Sequence, residues 1–337
     1  PLTATATGVG KIRISVTGPD GFQRDRDWDL SVRPAQALTT DRIATLVQPN
    51  QSVVLNADLV KGFLPDTVQV FASFSTRPTF DIPGLLKALD DYPYGCVEQT
   101  TSRALPLLYV AKVAEKVDSG FRPDDARRKV QGAIDRIMTA QQPGGGFGMW
   151  SPFGDANPWL SAYALDFLTR ARAEGGYRIP ERSYQRGIKF LSNYLDWYEA
   201  RTECTPASAY ALYVVSRAGG GDVGTMRYYV DNCLPKYQTP VSQAQIAAAA
   251  AQFGDTARTA KAFAAATSTE RPTNFYGDYG SPLRDHAATA ALLHEAKQPQ
   301  GEVLQQVDVA ADLFARDRYW STQDMTWMLI AADAALD

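Results

Sequence analysis

The sequence predicts a mainly α-helical protein with a β-rich N-terminal part, in which the helices pair as an array or a closed ring of hairpins. Residues 9–76 contain short segments that alternate polar and apolar side chains, which is the period of a half-buried strand. From residue 83 onward, apolar residues recur instead at helical spacing, and the loops between segments are short. Pairs of these segments recur about every 40–50 residues, as in helical repeat proteins.

The composition is that of a soluble globular protein of about two domains. Of 337 residues, 45% are apolar and 21% are charged, and the net charge is −3. No basic block is interleaved with aromatic residues, so we expect neither nucleic acid nor anionic membrane as a partner. Because the chain opens abruptly at Pro1 and ends at Asp337 inside a helical pattern, we expect a fragment of a longer protein.

The first β segments predict a hairpin or the last two strands of a sandwich. Residues 11–16 and 28–32 alternate polar and apolar side chains, and residues 18–21 (Gly-Pro-Asp-Gly) are typical of a turn. This β part is too short to close a sandwich alone, so we expect it to pair with strands outside the chain. Further strands are predicted at 44–47, 52–57 and 67–75.

The helical part begins with a predicted short helix at 84–91, which Pro93 and Gly95 end. Proline or acidic residues in the first turn mark several later helix starts, for example at Pro123 and Pro206. Short loops make consecutive helices antiparallel neighbours. The later predicted helices are 97–117, 123–142, 157–174, 180–200, 205–218, 223–234, 240–253, 255–268, 282–297, 301–316 and 321–336.

Two connections, at 142–150 and 274–280, are rich in glycine and aromatic residues. Loops of this kind at one end of a helical barrel commonly line a binding or catalytic site. Alternatively, the glycines make tight turns and the aromatic rings plug the end of the barrel. The sequence leaves both interpretations open for each loop.

Cys96 and Gln99 carry the most distinctive chemistry of the chain. They lie three residues apart at the start of a helical pattern, so their side chains share one face of the first turn. If the thiol attacks the carboxamide carbon and ammonia leaves, an internal thioester forms. The free N–H groups of the helix N-terminus are expected to lower the pKa of the thiol and to bind the acyl oxygen. The alternative is a buried cysteine with a packing role only.

Other site chemistries find less support in the sequence. His286 and His294 lie late in the chain on one predicted helix, and no histidine lies near Cys96, as a Cys–His hydrolase requires. The histidines and cysteines lack the spacing of metal ligands, so no metal is expected. The aspartate pairs 90–91 and 124–125 suit a prenyl-diphosphate site, but acidic residues are expected at helix ends anyway.

Residues 92–99, Tyr-Pro-Tyr-Gly-Cys-Val-Glu-Gln, resemble the Gly-Cys-x-Glu-Gln thioester motif of the alpha-2-macroglobulin and complement family. Residues 100–102 and Pro106 extend the resemblance to the bacterial alpha-2-macroglobulins, and 145–150 and 320–324 match recurring family segments. The resemblance covers the whole chain. It implies three parts: 1–32 end a macroglobulin-like β domain, 33–82 belong to a CUB-like β domain, and 83–337 form the thioester domain, an α/α toroid preceded by β-sandwich segments.

The resemblance implies a broad-spectrum protease trap in bacterial defence, and not an enzyme with turnover. In the family, a protease cuts a bait region, and its lysine amine then attacks the acyl carbon, here that of Gln99, and releases Cys96. Members that prefer hydroxyl targets use a histidine midway along the thioester domain, which this chain lacks, so we expect amine targets. The implied partners are target proteases and adjacent macroglobulin domains, without a cofactor or a metal. The implied location is the periplasm, with a lipid anchor in the inner membrane.

Several residues around the motif are further candidates. Glu98 acts either through its charge at the helix N-terminus or by assisting proton transfer. Cys204 opens one predicted helix and Cys233 closes the next, so they form either a disulfide across a helical hairpin or two free thiols. A stored thioester must be kept from water, and each candidate shield is otherwise an ordinary packing residue. The candidate shielding residues are Tyr92, Tyr94, Phe147, Met149 and Trp150.

Two other function classes stay open on the sequence alone. The first is a binding or scaffold toroid without an intact thioester, for which Cys96→Ala would leave protease capture unchanged. The second is an α/α-barrel enzyme that acts on a lipid or a glycan, which would show saturable turnover.

Overall fold

The computed structural model of the chain forms two compact units, Pro1–Phe63 and Leu64–Asp337. In the described residues no helix is long and apolar enough to cross a membrane. The domain boundaries expected after residues 32 and 82 stay predictions. The structure describes residues 3–35, 39, 41, 43, 47, 50–64, 67–70, 72, 80–109, 123–316 and 319–336.

The first unit contains an antiparallel hairpin of β1 (Gly8–Thr17) and β2 (Gln23–Val32). Its register pairs Gly8 with Val32 and Thr17 with Gln23. A single 3-10 turn at Pro19–Gly21 joins the strands, as the Gly-Pro-Asp-Gly sequence predicts. The hairpin is therefore one of the two arrangements that the alternating pattern predicted.

The predicted strand at 52–57 is wrong. Residues 52–56 form no ladder in the structure, and Ala57 begins a 3-10 helix, Ala57–Val60, which the Asn56 side chain caps by accepting a hydrogen bond from the Asp58 N–H. The described residues of the predicted 67–75 strand, 67–70 and 72, form no strand either. Alternation alone supplies no neighbouring strand, and a strand without a neighbour has no ladder to stabilise it. Most of the predicted strand at 44–47 lies outside the described residues.

The regular secondary structure of the second unit, in its described part, consists of helices joined by loops. The bounds of its α-helices agree with the predicted segments to within a few residues in most cases. They are α1 (Ile82–Asp90), α2 (Val97–Ala104), α3 (Pro123–Met138), α4 (Pro158–Glu174), α5 (Glu181–Tyr194), α6 (Tyr198–Glu203), α7 (Pro206–Arg217), α8 (Val223–Tyr228), α9 (Pro240–Gln252), α10 (Thr256–Ser268), α11 (Pro282–Glu295), α12 (Gln300–Arg316) and α13 (Thr322–Leu336).

Three predicted helices are interrupted or change type in the structure. The segment 97–117 is interrupted after Ala104, because Pro106 has no N–H for the helical ladder. The segment 180–200 divides into α5 and α6. In the segment 223–234, α8 is followed by a π-helical turn, Tyr229–Cys233. A 3-10 turn that contains Pro235 comes next.

The helices form a closed α/α toroid. Alternate helices contact one another in the order α2, α4, α7, α9, α11 and α13, and α13 returns to contact α2. The remaining helices lie outside this ring, each against one or two of its members, as α5 lies against α4 and α7. The predicted fold class, a mainly α protein with an α/α toroid and a β N-terminal part, is confirmed.

The sequence pattern of each helix matches its place in the toroid. The inner helix α9 is buried at every residue from Pro240 to Ala250, since it faces the axis on one side and the outer helices on the other. Its alanine-rich sequence allows the close helix contacts that the ring requires. The outer helix α5 buries one stripe only, consisting of Tyr184, Gly187, Leu191 and Tyr194.

A buried ionic network joins the C-terminal ends of three inner helices. Arg170 of α4 donates to Asp166 at 2.7 Å and also contacts Glu295 of α11. Glu295 in turn accepts hydrogen bonds of 2.5 Å from Arg217 and from Tyr213 of α7. Burial favours the neutral form of the Glu295 carboxyl, but Arg170, Arg217 and the hydrogen bond from Tyr213 lower its pKa to about 2.

The lowered pKa of Glu295 predicts that acid destabilises the folded protein, and that the Glu295→Gln variant is less sensitive to acid than wild type. The pKa of Glu295 is lower in the folded protein than its usual value of 4.5, so the charged carboxylate stabilises the fold above pH 4.5. This stabilisation is lost as the pH falls toward about 2. A shift of this size is worth about 3 kcal/mol at neutral pH. Urea titrations should show the difference in unfolding free energy between wild type and Glu295→Gln narrowing by about half between about pH 6 and about pH 3. A difference that does not change with pH would contradict this account.

Candidate functional site

Cys96 and Gln99 cap the N-terminus of α2 reciprocally. Cys96 is the N-cap residue, and its sulfur accepts a hydrogen bond from the Gln99 backbone N–H at 3.5 Å. The Gln99 carboxamide oxygen accepts one from the Cys96 backbone N–H at 3.2 Å. This arrangement is a capping box in which a thiol and a carboxamide take the places usually held by a hydroxyl and a glutamate. The thiol and the carboxamide therefore lie side by side, as their spacing predicts.

Two neighbouring segments fix the backbone on either side of Cys96. The Arg136 guanidinium, in the last turn of α3, donates two hydrogen bonds of 2.8 and 3.1 Å to the carbonyl oxygen of Gly95. The Val97 backbone N–H donates to the carbonyl oxygen of Met149 at 2.9 Å, in the first glycine-rich loop. The turn that carries Cys96 is thus held from the outer helix and from the loop before α4.

Glu98 points into the toroid and is buried. Its carboxylate accepts hydrogen bonds from Ser102 of α2 at 2.7 Å, from the hydroxyl of Thr322 at 2.9 Å and from the amide of Gln323 at 2.8 Å. Thr322 and Gln323 begin α13, the last helix of the chain. The carboxylate therefore joins the first turn of α2 to the first turn of its ring neighbour.

A row of hydroxyl groups and aromatic rings links the Glu98 carboxylate to the second glycine-rich loop, residues 274–280. The Ser102 hydroxyl lies 2.8 Å from the hydroxyl of Tyr163 in α4, and the Tyr163 ring lies 5.5 Å from that of Trp159. Trp159 also packs against Tyr279, with ring centroids 5.0 Å apart. Partial burial raises the pKa of the Tyr279 hydroxyl, and the negative charge of Glu98 raises it further. Tyr279 therefore lies within electrostatic reach of the Cys96 turn.

The expected lowering of the Cys96 pKa is wrong. Burial raises the pKa of the Cys96 thiol above its usual value, and the charge of Glu98 adds to this, while hydrogen bonds from the Gln99 and Glu98 backbone N–H groups act in the opposite direction. Cys96 is only 5% exposed, so the loss of hydration outweighs the effect of the helix N-terminus. Such a thiol is protected by burial and is not activated as a free thiolate.

The candidate shielding residues take different positions. Tyr92 and Tyr94 pack edge to face with ring centroids 5.8 Å apart, and Tyr94 remains 61% exposed. Trp150 is 67% exposed and Met149 is half-buried. Phe147 is completely buried in the core of the toroid, so it anchors the loop and does not present its ring at the surface beside Cys96. A shielding role for the other four residues stays a prediction.

Close backbone contacts explain the glycines of the 142–150 loop. Gly145 has φ +99°, and a Cβ atom there would overlap the carbonyl oxygen of Arg186. A Cβ at Gly148 would overlap the carbonyl oxygen of Ser151. The tight path brings the Met149 carbonyl oxygen to the N–H of Val97. The glycines therefore serve the geometry of the Cys96 turn through the backbone.

The other sequence candidates lie apart from this turn. A disulfide bond joins Cys204 and Cys233. His286 Nδ1 lies 2.8 Å from the Gln306 side-chain oxygen of α12, and therefore takes part in the packing of α11 against its outer helix. In the part of the chain that the structure describes, no cluster of three or more His, Cys, Asp or Glu residues could hold a metal ion.

Sequence reasoning missed the partners of the motif. Thr322 and Gln323 lie in a segment noted only as a family landmark, and Tyr279 lies in a loop noted only for its composition. Arg136 carried no signal at all, because it is one of several charged residues on an amphipathic outer helix. A search for polar residues in inner-helix first turns would have found Thr322 and Gln323.

The chain is similar to known proteins over nearly its whole length. The family model of the A-macroglobulin TED domain matches residues 71–195. Alpha-2-macroglobulin of Escherichia coli (strain K12) is 30% identical over 349 residues, which cover 98% of this chain and 21% of that protein. The chain thus spans about one fifth of the length of this curated relative.

Solved structures match over the same extent. The crystal structure of Salmonella alpha-2-macroglobulin reacted with methylamine has a TM-score of 0.83 and 28% identity, and covers 98% of this chain and 22% of that chain. The crystal structure of trypsin activated alpha-2-macroglobulin from Escherichia coli has a TM-score of 0.68 and 28% identity, over 97% of this chain and 24% of that chain. Sequence and fold agree across nearly the whole chain, and the chain belongs to the alpha-2-macroglobulin family.

Proposed function

We propose that this chain is the covalent part of a protease trap, in which Cys96 and Gln99 form an internal thioester. The observation that carries the proposal is the reciprocal cap, which holds the Cys96 sulfur against the Gln99 backbone and the Gln99 carboxamide against the Cys96 backbone. Reacting groups that are already held side by side need little further ordering to reach the transition state.

The bond forms and breaks in two balanced steps. The Cys96 sulfur attacks the carboxamide carbon of Gln99, the C–N bond breaks, and the amide nitrogen leaves as ammonia with the thiol proton. In the second step an amine attacks the acyl carbon and the C–S bond breaks. An amide forms, and the Cys96 sulfur leaves with a proton from the attacking nitrogen. Since no step restores the thioester, each molecule acts once and is an inhibitor and not an enzyme.

Lysine amines are the proposed targets. His286 pairs with Gln306 between α11 and α12, which supports an acyl transfer without an imidazole relay. A neutral amine is a strong enough nucleophile to attack a thioester directly, whereas a hydroxyl needs a base. The Cys96 backbone N–H already donates to the carboxamide oxygen of Gln99 at 3.2 Å, and is therefore placed to stabilise the developing oxyanion.

Two relatives of known structure support this proposal by the forms in which they were solved. One is reacted with methylamine, the smallest primary alkyl amine, and another is trypsin activated. Because this chain spans about one fifth of the curated relative, a bait region and adjacent macroglobulin domains are proposed for the longer protein. The periplasm is the proposed compartment, since the Cys204–Cys233 disulfide is typical of an oxidising one.

Intact mass spectrometry tests the thioester directly. The native protein is expected to weigh about 17 Da less than its sequence mass, and methylamine is expected to add about 31 Da and to release one thiol. Protein that was fully denatured in water before exposure to methylamine is the control, and it should gain no adduct. A native mass equal to the sequence mass, with Cys96 freely alkylated, would contradict the proposal.

A further inference from the structure

We propose that Thr322 and Gln323, at the start of α13, are positioning residues for the Cys96–Gln99 pair and act through Glu98. The inference rests on the proposed function for its chemistry, and on the contacts of Glu98 for its geometry. It assigns a role to the 320–324 segment, which lies more than 220 residues beyond the motif in sequence and directly against it in space.

The hydrogen bonds of Glu98 favour one of its two candidate roles. One carboxylate oxygen accepts from Ser102, Thr322 and Gln323 at 2.7–2.9 Å, and the other accepts from Thr322 at 3.2 Å. These donors fill the lone pairs of one carboxylate oxygen, while the other oxygen has only the longer contact with Thr322. A general base needs a free lone pair aimed at the proton that it takes. The dense set of donors therefore favours an anchoring role for Glu98 over that of a base.

A buried carboxylate is costly unless donors replace its lost water. Three donors offset that cost here, two of them from α13, so the position of α13 and the position of Glu98 depend on each other. Glu98 lies between Cys96 and Gln99 in the first turn of α2, where one residue corresponds to a rotation of about 100°. A turn of the helix that moved Glu98 away from Thr322 would also move the thiol and the carboxamide relative to each other and to Met149.

The chemistry is sensitive to such movement. Near-attack geometry requires reacting atoms about 3–3.5 Å apart, and an error of about 1 Å can cost 100-fold in rate. Arg136 and Met149 hold the backbone before and after Cys96, and Glu98 ties the inward face of the turn to α13. Loss of the α13 donors should therefore slow thioester formation without unfolding the toroid.

Thr322→Val and Gln323→Met test the inference, because each removes one donor at nearly constant volume. Thr326→Val is the matched control: Thr326 lies one turn later on α13, is completely buried, and donates to the backbone oxygens of Ser102 and Thr322 but not to Glu98. Thr322→Ser keeps the hydroxyl and should behave as wild type. Each variant is first compared with wild type by thermal melting.

The first readout is the rate at which protein carrying the mass deficit of about 17 Da accumulates after synthesis. Thr322→Val and Gln323→Met are expected to slow it by at least about 10-fold, while Thr326→Val and Thr322→Ser leave it unchanged. The second readout needs no thioester: it is the iodoacetamide alkylation rate of Cys96 in methylamine-treated protein, where burial and the cap protect the thiol. The same two variants should raise this rate several-fold.

The outcomes separate this inference from the proposed function. If wild type carries no mass deficit, the proposed function fails, and the alkylation rates still decide whether α13 positions Cys96. If Thr322→Val and Thr326→Val change both readouts equally, or if the changes only follow the melting temperatures, the contact has a packing role alone and the inference is wrong.

Discussion

Replacing Cys96 with alanine is expected to abolish covalent attachment of methylamine completely, and with it any covalent capture of a protease. The thioester requires the sulfur, and no other thiol is available, since Cys204 and Cys233 are bonded to each other. The measurement is intact mass after incubation with methylamine. Wild type gains an adduct, and Cys96→Ala has the mass of its sequence throughout.

The hydrogen bond of the cap predicts that Cys96→Ala also lowers the free energy of unfolding. A loss of covalent attachment in this variant therefore combines a chemical effect with a loss of stability. Cys96 satisfies the Gln99 N–H at the helix start, and loss of such an N-cap typically costs about 1 kcal/mol. Cys96→Ser separates the two effects. Serine is a good N-cap and keeps the fold near wild-type stability in a urea titration, but its hydroxyl forms no thioester.

The two variants together distinguish the proposed trap from a scaffold. If Cys96→Ser, with unchanged stability, still captured protease at the wild-type level, the toroid would act as a binding module. The reciprocal cap predicts that both variants lose the covalent adduct and that only Cys96→Ala is less stable than wild type.

The largest stability loss is expected for Arg284→Met. Arg284 is fully buried and pairs with Asp278 and Asp285, and Arg271 pairs with the same two carboxylates. Removing one partner of a buried ion pair leaves an uncompensated charge and typically costs about 3–5 kcal/mol. Chemical denaturation monitored by circular dichroism should show a loss in this range.

The same cluster fixes the loop that ends at the start of α11. Asp278 precedes Tyr279, whose backbone has φ +54°, and burial of Asp278 between two arginines keeps the loop in this shape. Arg258→Met is the matched control, because Arg258 forms a comparable double pair with Asp231 and Asp255 at the surface. Surface pairs contribute little. Equal losses for the two arginines would contradict the importance of burial.

Local rules allowed the helical part to be predicted well. Inner helices such as α4 and α7 begin with a proline in the first turn after an N-cap side chain, Asn157 or Thr205, which is a signal readable from a few residues. The proximity of Cys96 and Gln99 is equally local, since it follows from their spacing on one helical turn. The predicted N-terminal strands failed where the pattern had no neighbouring strand to pair with.

The rest of the site depends on distant contacts and on burial. Glu98 looks like an ordinary acidic first-turn residue until α13 is placed beside it. The helix N-terminus suggested a lowered pKa for Cys96, but the depth of burial, which reverses the direction, is a property of the whole toroid. Aromatic composition likewise could not separate Phe147, which is in the core, from Trp150, which faces solvent.

Closure of the ring by α13 sets the order of events during synthesis of the protein. The ribosome makes Cys96 and Gln99 more than 220 residues before Thr322 and Gln323, so for most of translation the nascent chain has the reactive pair without the donors of Glu98. The Cys96 turn gains the support of Thr322 and Gln323 only when α13 has emerged and docked. The proposed acyl bond is thereby expected to form after α13 has docked, and a product truncated before Thr322 lacks that support.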